Sequence, residues 1–106
     1  MKSLTRTLRI RNRMGLHMLP AAGMVRIAYA FDSEIIVLKY GHRASAKSIF
    51  SLMRLAIKCG DLVELTATGP DADEALRALH RFLESYRDAA IPTNSRKPPD
   101  MDSYAA

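Results

Sequence analysis

The chain has 106 residues, 48% of them hydrophobic and 25% charged, with a formal charge of +5, which fits one domain with a modest core and excludes two. One cysteine and three scattered histidines exclude an internal disulfide framework and argue against a structural zinc site. No apolar run approaches the roughly 18 residues of a membrane span, and no signal core follows Lys2 and Arg6, so a reducing, cytoplasmic setting is expected.

Leu4 to Ile10 alternates, with Leu4, Leu8 and Ile10 on one side and Thr5, Thr7 and Arg9 on the other. This predicts a half-buried strand, with Arg6 intruding on the apolar face. A polar loop from Arg11 ends in Met14-Gly15-Leu16, and a helix follows. Pro20 suits its first turn, where a missing N–H costs nothing. Ala21, Met24, Val25, Ala28 and Phe31 then recur at helical spacing.

Ser33 to Tyr40 reads as a second strand, rich in β-branched residues at Ile35, Ile36 and Val37. Gly41-His42 is expected to form a tight turn into a short third strand, Arg43-Ala44-Ser45. A second helix is expected from about Ser48, carrying Ile49, Phe50, Leu52, Met53 and Ala56, with Gly60 as its left-handed stop. Leu62 to Thr68 reads as a fourth strand. Asp71 and Glu74 are spaced as a capping box for a last helix, whose buried stripe is Ala75, Leu76, Leu79, Phe82, Leu83 and Tyr86. His80 falls on its polar face, with Asp73–Arg77 and His80–Glu84 as i,i+4 pairs. Cys59 is expected to be a partly buried thiol rather than a nucleophile.

The order β-α-β-β-α-β-α, with one-sided helices and half-polar strands, predicts an α+β fold in two layers, helices covering one sheet face. The domain is expected over residues 1–90. The remainder, 91–106, holds Pro92, Asn94, Ser95, Pro98 and Pro99 and reads as a flexible tail.

The charge is unevenly placed. Residues 1–31 hold Lys2, Arg6, Arg9, Arg11, Arg13 and Arg26 and no acid. Such asymmetry calls for an anionic partner: phosphate, an acidic protein face or nucleic acid. No Gly-rich or aromatic stacking motif supports nucleic acid, and neither nucleic acid nor membrane is an expected partner.

Two stretches carry chemistry. In Gly15-Leu16-His17-Met18-Leu19-Pro20-Ala21 the histidine stands where a loop becomes a helix. The unpaired N–H groups and positive dipole end there can receive phosphoryl oxygens while the imidazole holds the phosphorus. A histidine in that place can equally be a plain helix cap. In Ala44-Ser45-Ala46-Lys47-Ser48-Ile49-Phe50, Ser48 suits an N-cap, and the same position suits a phosphoserine. Phe50 and Met53 are either core or an exposed contact patch.

These two stretches together resemble the HPr family, the histidine-containing phosphocarriers of the bacterial phosphoenolpyruvate-dependent phosphotransferase system. The resemblance covers about residues 4–87, and Gly60, Gly69 and the element order agree with it. It implies an open-faced β-sandwich of four antiparallel strands under three helices. It implies that His17 accepts a phosphoryl group on Nδ1 from phosphorylated enzyme I and passes it to an acceptor protein of the system. Ser48 matches the regulatory serine, with a serine kinase/phosphorylase as a further partner. Ile49, Phe50 and Met53 match the apolar docking patch. The carrier is not an enzyme in the ordinary sense and needs no metal and no organic cofactor.

One departure stands out. The family usually reads Gly-Leu-His-Ala-Arg-Pro-Ala, whereas Met18 and Leu19 occupy the Ala and Arg positions. A guanidinium is strong support for a phosphoryl dianion. Arg11, Arg13 and Arg54 are candidates to replace it, and Leu19 is a candidate for a widened docking surface. A regulatory binding module, controlled at Ser48 with weak or absent transfer at His17, is the alternative expectation.

Overall fold

The initial alternation pairs as expected in the computed structural model, which describes residues 3–88. The strands are β1 (Ser3–Arg9), β2 (Glu34–Lys39), β3 (His42–Ser45) and β4 (Leu62–Thr68). The helices are α1 (Met18–Ala28), α2 (Ile49–Arg54) and α3 (Ala72–Ser85). The strands form one antiparallel sheet in the order β1-β4-β2-β3. The family's open-faced sandwich is therefore the fold of this chain. The expected tail, 91–106, lies outside the described residues.

The pairing register follows the hydrophobic pattern. Leu8 opposes Val63, Leu65 opposes Val37 and Ala67 opposes Ile35, and all six are buried beneath the helices. A one-residue slip would turn this set out to solvent. The outward residues are polar enough to stay there: Thr5 and Thr66 share a hydroxyl hydrogen bond of 3.0 Å. Arg6 does intrude on the inner face. Its guanidinium reaches Nδ1 of His80 on α3 at 3.4 Å, so a helix side chain meets the charge at the sheet edge.

Met24 of α1, Leu52 of α2 and Leu76 and Leu79 of α3 are fully buried over Ile35 and Leu65. Gly23 lies within α1, where glycine costs about 1 kcal/mol relative to alanine. The reason is the ring of Phe82. A Cβ at Gly23 would come within 3.0 Å of the ring's Cε1 atom, so the glycine lets α3 close onto α1. That close approach brings the end of α3 to the start of α1.

The structure departs from the sequence expectations at four places. The hairpin turn is Tyr40-Gly41, not Gly41-His42. Both turn residues have positive φ, 48° and 84°, as a two-residue hairpin of matching twist requires, and His42 opens β3 opposite Lys39. Next, α2 ends at Arg54, well before Gly60. The backbone beyond it is claimed by other partners: Ile57 O accepts from Leu16 N at 2.9 Å, Asp61 O from Ile10 N at 2.9 Å, and Gly60 N donates to Ile10 O at 2.7 Å. Gly60 serves the turn into β4.

The third departure is the capping box, which does not form. Asp71 is the N-cap of α3 but makes no side-chain cap bond. Its carboxylate instead accepts from the Ser33 hydroxyl and from the N–H groups of Asp32 and Ser33 at 2.9 Å, which satisfies the buried Ser33. Finally, Cys59 is exposed. The two i,i+4 pairs on α3 are present, at 3.3 Å for Asp73–Arg77 and 3.4 Å for His80–Glu84. Among the described residues no helix is long and apolar enough to cross a membrane.

Candidate functional site

The loop before α1 is held in shape by backbone contacts that only glycine permits. Gly15 has φ +68°, and a Cβ there would stand 2.8 Å from Lys58 Cα and run into the Ile57 carbonyl. Asn12, buried, acts as the loop's internal brace. Its Nδ2 donates to Gly15 O at 2.8 Å, and its Oδ1 accepts from Asp88 N at 3.0 Å. One side chain thus ties the loop to the segment after α3.

His17 is the N-cap of α1, in extended conformation at φ −81° and ψ −169°, and its side chain makes no capping bond. The imidazole is instead engaged by Asp88: Nε2 lies 2.6 Å from Oδ1. Tyr86 stands edge-on to the imidazole at 6.5 Å between ring centres, and packs against Phe82 on its other side at 5.5 Å. The Phe82–Gly23 contact therefore continues through Tyr86 to the histidine.

The electrostatics follow from that geometry. Asp88 is held below the ordinary carboxylate value, first by its bond to His17, with further help from the electrostatic attraction of that side chain, the Met14 N–H and Asn12. Its second oxygen, Oδ2, is buried and closes no hydrogen bond among the described residues, so the imidazole is the main partner of the charge. Tyr86 is pushed up by burial and by the Asp88 carboxylate, which disfavours a second negative charge beside it. At the head of α1, Pro20 has no N–H, leaving those of Met18 and Leu19 without an intrahelical acceptor. They are available to an anion on His17.

Ser48 is the N-cap of α2. Its Oγ accepts from Ser51 N at 3.3 Å and donates to Ser51 Oγ at 2.9 Å. Beside it, Phe50 is 80% and Met53 36% exposed, while Leu19, Met18 and Met14 are 69%, 62% and 68% exposed. These are apolar side chains that the fold leaves in water on α1, α2 and the loop before α1. Ile49, by contrast, is half-buried and packs against the core. Arg13 is exposed, and neither its side chain nor those of Arg11 and Arg54 enter a hydrogen bond or ion pair among the described residues. Leu19 points no charge at the histidine, and no arginine is seen paired in its place.

A model of the family described as the PTS HPr component phosphorylation site matches residues 4–85. The chain belongs to the HPr family. The phosphocarrier protein HPr of Treponema pallidum is 40% identical over 82 residues, which are 77% of this chain and 93% of that protein. The HPr-like protein Crh of Halalkalibacterium halodurans is 43% identical over 75 residues, 71% of this chain and 89% of its own length. The crystal structure of HPr from Bacillus anthracis superposes with a TM-score of 0.74 at 36% identity, covering 76% of this chain and 96% of that one. The family is one of phosphocarriers rather than enzymes.

The fold brings together one residue that the motifs single out, His17, and three that they do not: Asn12, Tyr86 and Asp88. Asp88 lies 71 positions from His17 in the chain, so no local spacing links the two. Met14 likewise gains its meaning only from its exposure.

Proposed function

We propose that this HPr-family chain carries a phosphoryl group on Nδ1 of His17, taking it from phosphorylated enzyme I and passing it to an acceptor protein of the phosphotransferase system. The observation that carries this reading is the 2.6 Å contact between His17 Nε2 and Asp88. A carboxylate accepts from a protonated nitrogen, so Nε2 keeps the hydrogen and Nδ1 keeps its lone pair. Nδ1 attacks the phosphorus; the new N–P bond forms as the phosphorus–donor bond breaks and the donor leaves with that electron pair. The phosphorylated ring carries a positive charge, which the Asp88 carboxylate neutralises. The N–H groups of Met18 and Leu19 receive the phosphoryl oxygens. Onward transfer is the same step in reverse, to a different acceptor.

Ser48 is the regulatory position in this reading, modified by a serine kinase/phosphorylase. Its cap geometry supports that role, because a phosphate there faces the positive end of a helix. Phe50, Met53 and Leu19, with Met14 and Met18, supply the apolar contact for partner proteins. Arg13 supplies charge at its margin.

The test is labelling with radioactive phosphoenolpyruvate and enzyme I. The label is expected on His17 alone, acid-labile and base-stable as a phosphoramidate is, and absent from His17→Ala. Label persisting in that variant would overturn the assignment. Leu19 in the family's Arg position favours a second reading, a regulatory binding module. Under it enzyme I leaves His17 unlabelled, while Ser48 is phosphorylated and the product binds a regulator.

A further inference from the structure

A cleft with a basic lining lies outside the His17 site. The β2–β3 hairpin and the end of α2 enclose a cleft of about 450 Å³, lined by Lys39, Tyr40, His42, Arg43, Ser51, Arg54 and Leu55. That volume is in the range of small-molecule sites. Three lining residues are permanent cations, a fourth is histidine, and no acid lines the cleft.

The four basic groups do different things. The Lys39 ammonium is used up: it donates to Leu55 O at 3.1 Å and Ala56 O at 2.6 Å and pairs with Asp61 at 2.9 Å. It fixes the cleft by fastening the hairpin to the chain leaving α2, and it offsets the Asp61 carboxylate. Asp61 is accordingly held low, by the Lys58 N–H first and then by Lys39. His42, Arg43 and Arg54 enter no side-chain hydrogen bond or ion pair among the described residues. Converging like charges raise the local potential and cost self-repulsion, which a bound anion removes.

Tyr40 is the second distinctive feature. It is 75% exposed and has φ 48°, a conformation in which a bulky residue is uncommon and strained. Asn, Asp or Gly would make this turn at lower cost. The turn carries an aromatic ring at the rim of the cationic cleft.

We propose that this cleft binds a small molecule bearing a pyrophosphate or similarly close pair of phosphoryl groups, with Arg43 and Arg54 as its principal contacts. Two guanidiniums suit two phosphoryl groups, each through its planar fork of donors. Ser51 also lines the cleft, and its hydroxyl is already engaged by Ser48.

Titration of the isotopically labelled full chain with inorganic pyrophosphate, followed by NMR at fixed ionic strength, tests this. Saturable shifts are expected at residues 39–43 and 51–55. Inorganic phosphate should bind at least tenfold more weakly, and Arg43→Gln and Arg54→Gln should each weaken pyrophosphate by at least tenfold. Both arginines are exposed, and unchanged melting of the variants separates lost binding from lost fold. Shifts confined to the start of α1 or α2, equal binding of phosphate and pyrophosphate, or indifference to both substitutions would overturn the proposal. A nucleoside diphosphate arm identifies the source. If it binds more tightly than pyrophosphate and Tyr40→Ala removes the difference, the ligand is a nucleotide; equal binding, indifferent to Tyr40→Ala, supports recognition of the phosphates alone.

Discussion

Nε2 of His17 and Oδ1 of Asp88 lie 2.6 Å apart, joining the first residue before α1 to the third residue after α3. The contact selects one tautomer and leaves Nδ1 with a free lone pair, the nucleophile of the proposed transfer. Asp88→Asn keeps the shape but removes the charge that, in the carrier reading, stabilises the phosphorylated ring. Transfer to His17 is expected to slow by about tenfold to a hundredfold, the effect of one charge-assisted hydrogen bond. Rapid-quench assays of phosphoryl transfer check this; an unchanged rate would make Asp88 a merely structural partner.

Gly15 gives a prediction about the loop itself. With φ +68° and Lys58 Cα 2.8 Å from any added Cβ, Gly15→Ala meets both backbone strain and a collision. The strain alone costs about 1–3 kcal/mol. The variant is expected to melt several degrees lower and to transfer more slowly, because the loop that carries Asn12 must shift. Gly41→Ala is the matching control, since open space surrounds it and only turn strain is added.

Periodicity carried most of the fold. The alternations of Leu4–Ile10 and Leu62–Thr68 and the 3.6-residue spacing in α1 and α3 are strong local signals, and each element lies where they put it to within about three residues at its ends. Two of the four misreadings share one cause. Gly60 and Asp71 carry standard stop and cap chemistry, but tertiary partners, Ile10 and Ser33, claim them. His17 was legible because a histidine between Gly-Leu and a proline-bearing helix start is a local pattern. Asp88 and Asn12 were not, because their roles exist only once Phe82 packs on Gly23 and brings the two ends of the domain together.

Acid stability should register the Asp71 network. The Ser33 hydroxyl first, then the Asp32 N–H, hold this carboxyl below its ordinary value of 3.8. A carboxyl lowered on folding stabilises the native state above its unfolded pKa, and that stabilisation is lost as pH falls through the folded value. Asp71→Asn is expected to melt lower than wild type at neutral pH, with the gap narrowing as pH drops below about 4. Melting curves across pH 2–7 check the sign. A gap independent of pH would assign the effect to hydrogen-bond geometry rather than to charge.

Phosphorylation at Ser48 should preserve the fold. Its Oγ already accepts the Ser51 N–H, and negative charge at a helix start is worth about 0.3–1 kcal/mol. Ser48→Asp is expected to melt no lower than wild type, whereas Ser48→Ala should lose about 1 kcal/mol of cap. A loss of several degrees in the aspartate variant would remove the structural basis for a switch at this residue.

Leu19 stands 69% exposed where the family usually has the arginine that supports the phosphoryl charge. In the carrier reading, one charge-assisted contact is therefore missing from the transition state. Such a contact is worth about 1.5–3 kcal/mol, or roughly tenfold to a hundredfold in rate. Leu19→Arg is expected to speed transfer from a heterologous enzyme I by that factor. Leu19 also belongs to the exposed apolar set with Met14, Met18 and Phe50, so the same substitution should weaken binding to the native partner, where burial of the leucine is worth about 1.5–3 kcal/mol when complete. Rapid-quench assays with both donors separate the two effects: a faster foreign donor and a weaker native complex show that docking area replaced charge. If neither changes, the residue before Pro20 bears on neither step, and the support for the phosphoryl group rests on the amides of α1 and on Asp88.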